Sequence, residues 1–292
     1  MSVGHWWQAF RPKTLSAAVV PVVVATALVF AEGYLIDWSI TVFALLSALM
    51  IQIGTNLIND AIDFKKGADR EDRMGPVRVT QKGLISPRWV MTGGLLSFLL
   101  AIAFGVPLVI KGGWVIVAIG VLSLILGYAY TGGPFPLAYK GWGDIFVVLF
   151  FGLVAVGGVF YLHTGEFSSP VLVAGIQVGF LATVLIAINN LRDRNQDLRA
   201  NKKTLAVRFG ESFARYEILF LFALSFLLLG YWWERGYVWA TLLPLLSAPV
   251  AWLVTRDVWR TPPGPVYNSY LARSSLVHIL FGLQMALGLV LR

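Results

Sequence analysis

The chain has 292 residues, 58% of them apolar and 13% charged, with a net charge of +8 and a mean hydropathy of +0.74. That balance excludes an ordinary soluble enzyme and describes a chain whose solvent is mostly lipid. There is no cysteine and the three histidines (His5, His163, His278) stand far apart, which excludes disulfides and thiol catalysis and argues against a histidine metal centre.

Read in order, the apolar runs predict an all-α, polytopic membrane protein forming one domain over residues 1–292. His5, Trp6, Trp7 and Phe10 come first and suit an interfacial anchor. About nine spans follow, at 14–31, 39–59, 89–110, 114–130, 144–162, 169–190, 216–233, 238–255 and 272–291. The first is long and has no small-x-small cleavage site after it, so it reads as a retained span, not a signal peptide. Residues 111–113 are short enough to make a tight hairpin of the third and fourth spans.

Charge placement sets the orientation. Of 23 Lys and Arg residues, only Lys111, Arg235 and Arg292 fall on one side of the predicted membrane, leaving 20 on the other. The positive-inside bias puts the N-terminus and the charged loops in the cytoplasm, and it accounts for the net charge without nucleic acid.

Two of these loops, 60–88 and 191–215, carry seven Lys or Arg each and form a cytoplasmic cap. Four spans separate them, so their parent helices run the same way, as in two four-helix pseudo-repeats. Asn56, Asn59, Asp60 and Asp63 fall at i, i+3, i+4 and i+7, and Asn189, Arg192, Asp193 and Asp197 at i, i+3, i+4 and i+8. Each set therefore occupies one helical face. Acids at a helix C-terminus oppose the macrodipole, by roughly 0.3–1 kcal/mol each, and acids near lipid cost more. Pairing of Asp60 and Asp63 with nearby lysines would explain one such cluster. Two on the same face point to function.

Carboxylates and amide oxygens suit Mg²⁺, a hard cation held by one or two carboxylates plus substrate phosphates. The cations among them (Lys65, Lys66, Arg73, Arg78, Lys82, Arg192, Lys202, Lys203) would repel a bare metal but suit a diphosphate. A diphosphate whose other end belongs in lipid is a polyprenyl diphosphate. Thr204 beside the two lysines of "NKKT" adds a hydroxyl for phosphate.

The stretches "AFRPKTL" (9–15), "NLINDAIDFKKGAD" (56–69), "DRMGPVRVTQKGLIS" (72–86), "YAYTGGPFPLAYKGWGD" (128–144), "NNLRDRNQDLRANKKTLAVRFG" (189–210) and "HILFGLQMALGL" (278–289) occur in this order. In them the chain resembles the UbiA superfamily of intramembrane prenyltransferases, and within it the branch that prenylates 1,4-dihydroxy-2-naphthoate. The resemblance implies a helical bundle around a central cavity and Mg²⁺-dependent transfer of a polyprenyl group to that acceptor, with loss of CO₂, in menaquinone synthesis. It implies metal ligation by Asp60, Asp63, Asp193 and Asp197, with Asn56 and Asn189 completing coordination. Asp193-xxx-Asp197 matches the superfamily's second motif; Asn56-xxx-Asp60-xx-Asp63 is one residue tighter than other branches. Arg78, Lys82, Lys202 and Lys203 are expected to hold the diphosphate, with Arg78 or Lys82 alternatively on the naphthoate carboxylate. Gln81 is expected to bond an acceptor hydroxyl, and Tyr130 and Tyr139 to face the prenyl cation. Asn59, Lys65, Arg73, Arg192 and Thr204 complete the candidate substrate-binding set. Other acceptors of the same superfamily (hydroxybenzoate, homogentisate, a haem, a lipid) fit the Asp motifs equally, and a transporter with a four-helix repeat fits the hydropathy.

Overall fold

The computed structural model describes residues 2–67, 74–76 and 78–292, all of them helix, turn or irregular, with no strand among the described residues. The helices are α1 (Val3–Phe10), α2 (Ser16–Ala31), α3 (Trp38–Lys65), α4 (Pro87–Ala129) and α5 (Gly143–Val147). A π-helical stretch, Val148–Val154, continues α5 into α6 (Ala155–Thr164). Next come α7 (Ser169–Arg192), α8 (Arg194–Arg199), α9 (Leu205–Leu227), α10 (Leu229–Glu234), α11 (Val238–Leu245), α12 (Ala248–Arg260) and α13 (Tyr267–Leu291).

Among the described residues six segments are long and apolar enough to cross a membrane: α3, α4, Gly143–Thr164, α7, Leu205–Glu234 and α13. The pairs α1–α2 and α11–α12, bent by 51° and 42°, raise that to eight if each counts as one span. The 43 residues of α4 are broken at Gly113, whose φ of 64° and ψ of −153° only glycine adopts without strain. In a straight helix Phe98 and Gly127 would stand about 43 Å apart. Yet a Cβ on Gly127 would lie 3.3 Å from Phe98 and 2.6 Å from Thr55, so the two halves fold back as the hairpin expected around 111–113.

α2 is buried along most of its length and apolar on every side, as a helix in the middle of a bundle must be. It packs on α3, α6, α7 and α13. Where α7 meets the π-helical stretch the backbones touch: a Cβ on Gly152 would lie 2.3 Å from the Gly175 carbonyl, and one on Gly179 would lie 2.8 Å from the Val148 carbonyl. Without a hydrophobic force between helices in lipid, such small-residue contacts supply the packing. Gly152→Ala is expected to separate the two backbones and cost about 1–3 kcal/mol, read as a lowered thermal midpoint in detergent.

The principal difference from the expected boundaries is at the first motif. The helix does not stop at residue 59; α3 runs to Lys65, so Asp60 and Asp63 belong to its last turns. They fold helically because they face protein: both are buried, Asp60 at 2% exposure. The expected loop 191–215 likewise contains α8 and the first half of α9.

Candidate active site

The first cluster is built at the end of α3. Arg78 bonds Asp63 at 3.2 Å and stands 3.6 Å from Asp60 Oδ1, to which Thr80 donates at 2.8 Å. The Tyr139 hydroxyl donates to the other Asp63 oxygen at 3.0 Å. Thr131 donates to Asn59 Oδ1. Asn56 spends its amide nitrogen on the Phe10 carbonyl (3.1 Å) and Thr14 (3.2 Å), which leaves its oxygen as an acceptor. Lys66 bonds the Thr131 carbonyl at 2.6 Å and lies 4.5 Å over the Tyr139 ring.

The second cluster is at the end of α7. Arg192, 1% exposed, grips both Asp193 oxygens (2.7 and 2.6 Å) and donates to Asn189 Oδ1 (2.7 Å) and Asn268 Oδ1 (2.7 Å). Asn268 in turn donates to the Met74 carbonyl at 2.9 Å, tying α13 and α7 to the first cap segment. Lys202 lies 3.4 Å from Asp197 Oδ1, whereas the buried Oδ2 has no hydrogen-bond partner. Burial pushes the Asp197 carboxyl up to about 6, against the pull of Lys202.

The 130–142 segment joins the two clusters. The Lys203 amide donates to the Tyr139 carbonyl at 3.0 Å, and Arg208 donates to the Lys140 carbonyl at 2.6 Å. Gly141 permits this approach: its φ is 75°, and a Cβ there would stand 2.6 Å from the Lys203 carbonyl. Tyr130 lines the cavity described below, yet is otherwise enclosed by protein. Those surroundings, then Asp144, Asp63 and Asp197, push its hydroxyl above the usual range, and Arg11 pulls it back. One tyrosine therefore feels carboxylates from both motifs.

Beneath Tyr130 lies a cavity of about 520 Å³ between α2, α3, α4 and Gly143–Thr164. Gln52, Thr55 and Tyr130 line its polar end, and apolar residues such as Phe150, Phe151 and Ile116 line the rest. From Phe146 to Leu162 its wall extends roughly 20 Å along the helices.

Of the expected site residues, Asp60, Asp63, Arg78 and Tyr139 are drawn into one network, with Asn56 and Asn59 bonded beside it to Phe10, Thr14 and Thr131; Asn189, Arg192 and Asp193 form another, with the Asp197–Lys202 pair one turn on. Lys65, Lys82 and Lys203 are exposed, and Gln81 is half-buried. Thr204 is buried and caps α9, accepting from the Val207 amide at 3.3 Å. Arg73 lies outside the described residues. No group of three or more acidic or histidine side chains close enough to hold a metal occurs among the described residues. The donor set nevertheless fits a hard divalent cation: carboxylate and amide oxygens, with one Asp197 oxygen buried and unpartnered. Thr80, Thr131, Asn268 and Arg11 were not picked out as site residues. Arg11, Thr80 and Thr131 lie in the stretches "AFRPKTL", "DRMGPVRVTQKGLIS" and "YAYTGGPFPLAYKGWGD"; Asn268 carried no signal.

The UbiA prenyltransferase family model matches residues 18–280. The chain belongs to that family. It is 33% identical to the 1,4-dihydroxy-2-naphthoate octaprenyltransferase of Haemophilus influenzae, over 98% of this chain and 96% of the relative. It is 35% identical to the Escherichia coli protein of the same name, over 98% and 95%. Its fold matches the UbiA homolog from Archaeoglobus fulgidus bound to GPP and Mg²⁺, with a TM-score of 0.64 and 18% identity over 99% of this chain and all of that one. With its apolar helices, this UbiA-family chain is an integral, multi-pass membrane protein.

Burial of the Asp197 carboxylate, with one oxygen unpartnered, has a measurable cost. A native Asp197 that titrates near 6, against 3.8 for the free side chain, binds more protons than the unfolded chain between those values. Stability therefore falls as pH rises through that window, and the full penalty, about 3 kcal/mol, is present above it. Asp197→Asn is expected to raise the thermal midpoint in EDTA-treated micelles at pH 8, with the gain shrinking toward pH 4. Tryptophan fluorescence during heating reads it.

Proposed function

We propose that this chain transfers a polyprenyl group from polyprenyl diphosphate to 1,4-dihydroxy-2-naphthoate, with loss of CO₂, giving demethylmenaquinone for menaquinone synthesis. The observation that carries the reading is one long apolar cavity whose polar mouth holds Tyr130, a tyrosine in the field of Asp63 from the first acid–cation network and Asp197 from the second. The cavity accepts the prenyl tail; the mouth accepts the diphosphate. The naphthoate acceptor rests on the names of the two relatives above.

Breaking the allylic C–O bond leaves its electrons on the diphosphate and a delocalised cation on the prenyl group. The new C–C bond forms at the ring carbon bearing the carboxylate, and CO₂ leaves as the ring regains aromaticity. Only interactions that strengthen as this charge separates raise the rate. Mg²⁺, when bound, supplies Lewis acidity to the leaving diphosphate. Asp60, Asp63, Asp193 and Asp197 would hold it, with the Asn56 oxygen available and the Asn189 oxygen taken by Arg192. Arg78 and Lys202 hold diphosphate oxygens where water is largely excluded, and the exposed Lys82 and Lys203 hold them from the solvent side. Tyr130 and Tyr139 turn aromatic surface toward the cation. The bias of Lys and Arg toward the loops on one side supports a cytoplasmic mouth, in a prokaryotic cell membrane with lipid around the bundle.

The test is a detergent or membrane assay with 1,4-dihydroxy-2-naphthoate, a long-chain polyprenyl diphosphate and Mg²⁺, with EDTA as control. Demethylmenaquinone and CO₂ formed only with metal support the reading. Turnover with another aromatic acceptor, and none with the naphthoate, would keep the site and overturn the acceptor.

A further inference from the structure

Asp144 is unused by the chemistry above. It lies in the first turn of α5, 4% exposed, and its Oδ1 is buried with no hydrogen-bond partner. An acid in a first turn can serve the helix dipole, but such residues ordinarily face water. Lys202 and Glu217 lie within electrostatic reach of Asp144, but neither bonds Oδ1, and burying an ionisable oxygen without a donor is costly.

Its position indicates what the donor is. Asp144 stands one helical turn from Val147, which lines the apolar cavity. A Cβ on Gly143 would stand 3.2 Å from the Tyr130 hydroxyl, so the turn carrying Asp144 is pressed against the tyrosine at the cavity's polar end. Tyr130 feels the Asp144 carboxylate ahead of Asp63 and Asp197. Asp144 thus lies behind the cavity wall, beside the tyrosine at the cavity's polar end.

The two substrates differ in what they offer a carboxylate. A prenyl diphosphate presents phosphate oxygens and a hydrocarbon tail, neither of which donates a hydrogen bond. A dihydroxynaphthoate presents two phenolic O–H groups. We infer that Asp144 is an acceptor-specificity residue that takes a hydrogen bond from one ring hydroxyl of the hydroquinone and so fixes the ring against the cavity mouth. This rests on the proposed prenyl transfer to an aromatic hydroquinone, whose test is separate. A hydrogen-bonding site of this kind rejects analogues lacking the hydroxyl, because its buried acceptor is then left bare.

The experiment varies each substrate in turn with the full chain and with Asp144→Ala and Asp144→Asn. A hydrogen bond to a charged group predicts a rise in naphthoate KM of about 10- to 100-fold for Asp144→Ala. Asp144→Asn keeps the shape and a neutral oxygen and is expected to raise it about tenfold or less. The KM for polyprenyl diphosphate should stay within about twofold. Inhibition by 1-hydroxy-2-naphthoate and 4-hydroxy-2-naphthoate supplies a readout that a structural role would not move. One of the two lacks the bonded hydroxyl and should inhibit native and variant chains equally; the other should lose as much as the full acceptor. Both KM values moving together, or both analogues losing affinity equally, overturns the inference and leaves prenyl transfer standing. If Asp144→Ala does not fold, Asp144→Asn carries the same comparison. No turnover by the native chain with any aromatic acceptor overturns the proposed function and this inference with it.

Discussion

Asp60→Asn and Asp193→Asn are each expected to lower kcat for prenyl transfer by about 10²–10³-fold or more, with the naphthoate KM little changed. The substitution keeps the shape of the side chain and removes its charge. At Asp60 the remaining amide oxygen can still accept from Thr80, so the turn at the end of α3 keeps a local contact. What is lost is the negative charge that offsets Arg78 and would hold the divalent metal. A loss confined to the charge-separating step lowers kcat and kcat/KM together. The measurement is steady-state turnover across a range of Mg²⁺ concentrations. Activity restored simply by adding metal would reduce the carboxylate to an affinity role. Unchanged activity in both variants would remove the two motifs from the chemistry altogether.

Much of this site was legible in the sequence because helical spacing survives where hydropathy fails. The i, i+3, i+4, i+7 pattern of Asn56, Asn59, Asp60 and Asp63 already implied one helical face, and α3 does continue through it. The hydropathy boundary at residue 59 fell short because a buried acid reads as polar although it points into protein. Partnerships were much less legible. Arg192 looked like a substrate cation, yet all four of its hydrogen bonds run to side chains of the chain itself. Thr204 looked like a phosphate hydroxyl and caps a helix. Asn268 lies outside every quoted stretch, and Thr131 lies in one but at no spacing that ties it to Asn59; only the folded bundle brings them there. The same holds for Gly152 and Gly175, which become a backbone contact only when α7 lies beside the π-helical stretch.

Arg192 gives the largest expected effect on stability. It is almost fully buried, and its guanidinium spans Asp193, Asn189 and Asn268, the last reaching on to Met74. It therefore acts as a positioning residue that closes the second motif against α13 and the first cap segment. Arg192→Met takes from the buried Asp193 the guanidinium that grips both its oxygens, and breaking a buried pair in this way costs about 3–5 kcal/mol. Arg192→Lys is not conservative here, because one ammonium cannot reproduce a planar fork directed at three partners. Both variants should lower the thermal midpoint in detergent and the rate of prenyl transfer. The double variant Arg192→Met/Asp193→Asn separates the two effects. Removing the stranded charge should return most of the lost stability, since the pair is coupled and not additive. Activity should stay lost, because the carboxylate is gone. Recovery of activity along with stability would mean that Asp193 serves the fold alone, and the metal-holding role would then fall to Asp60, Asp63 and Asp197.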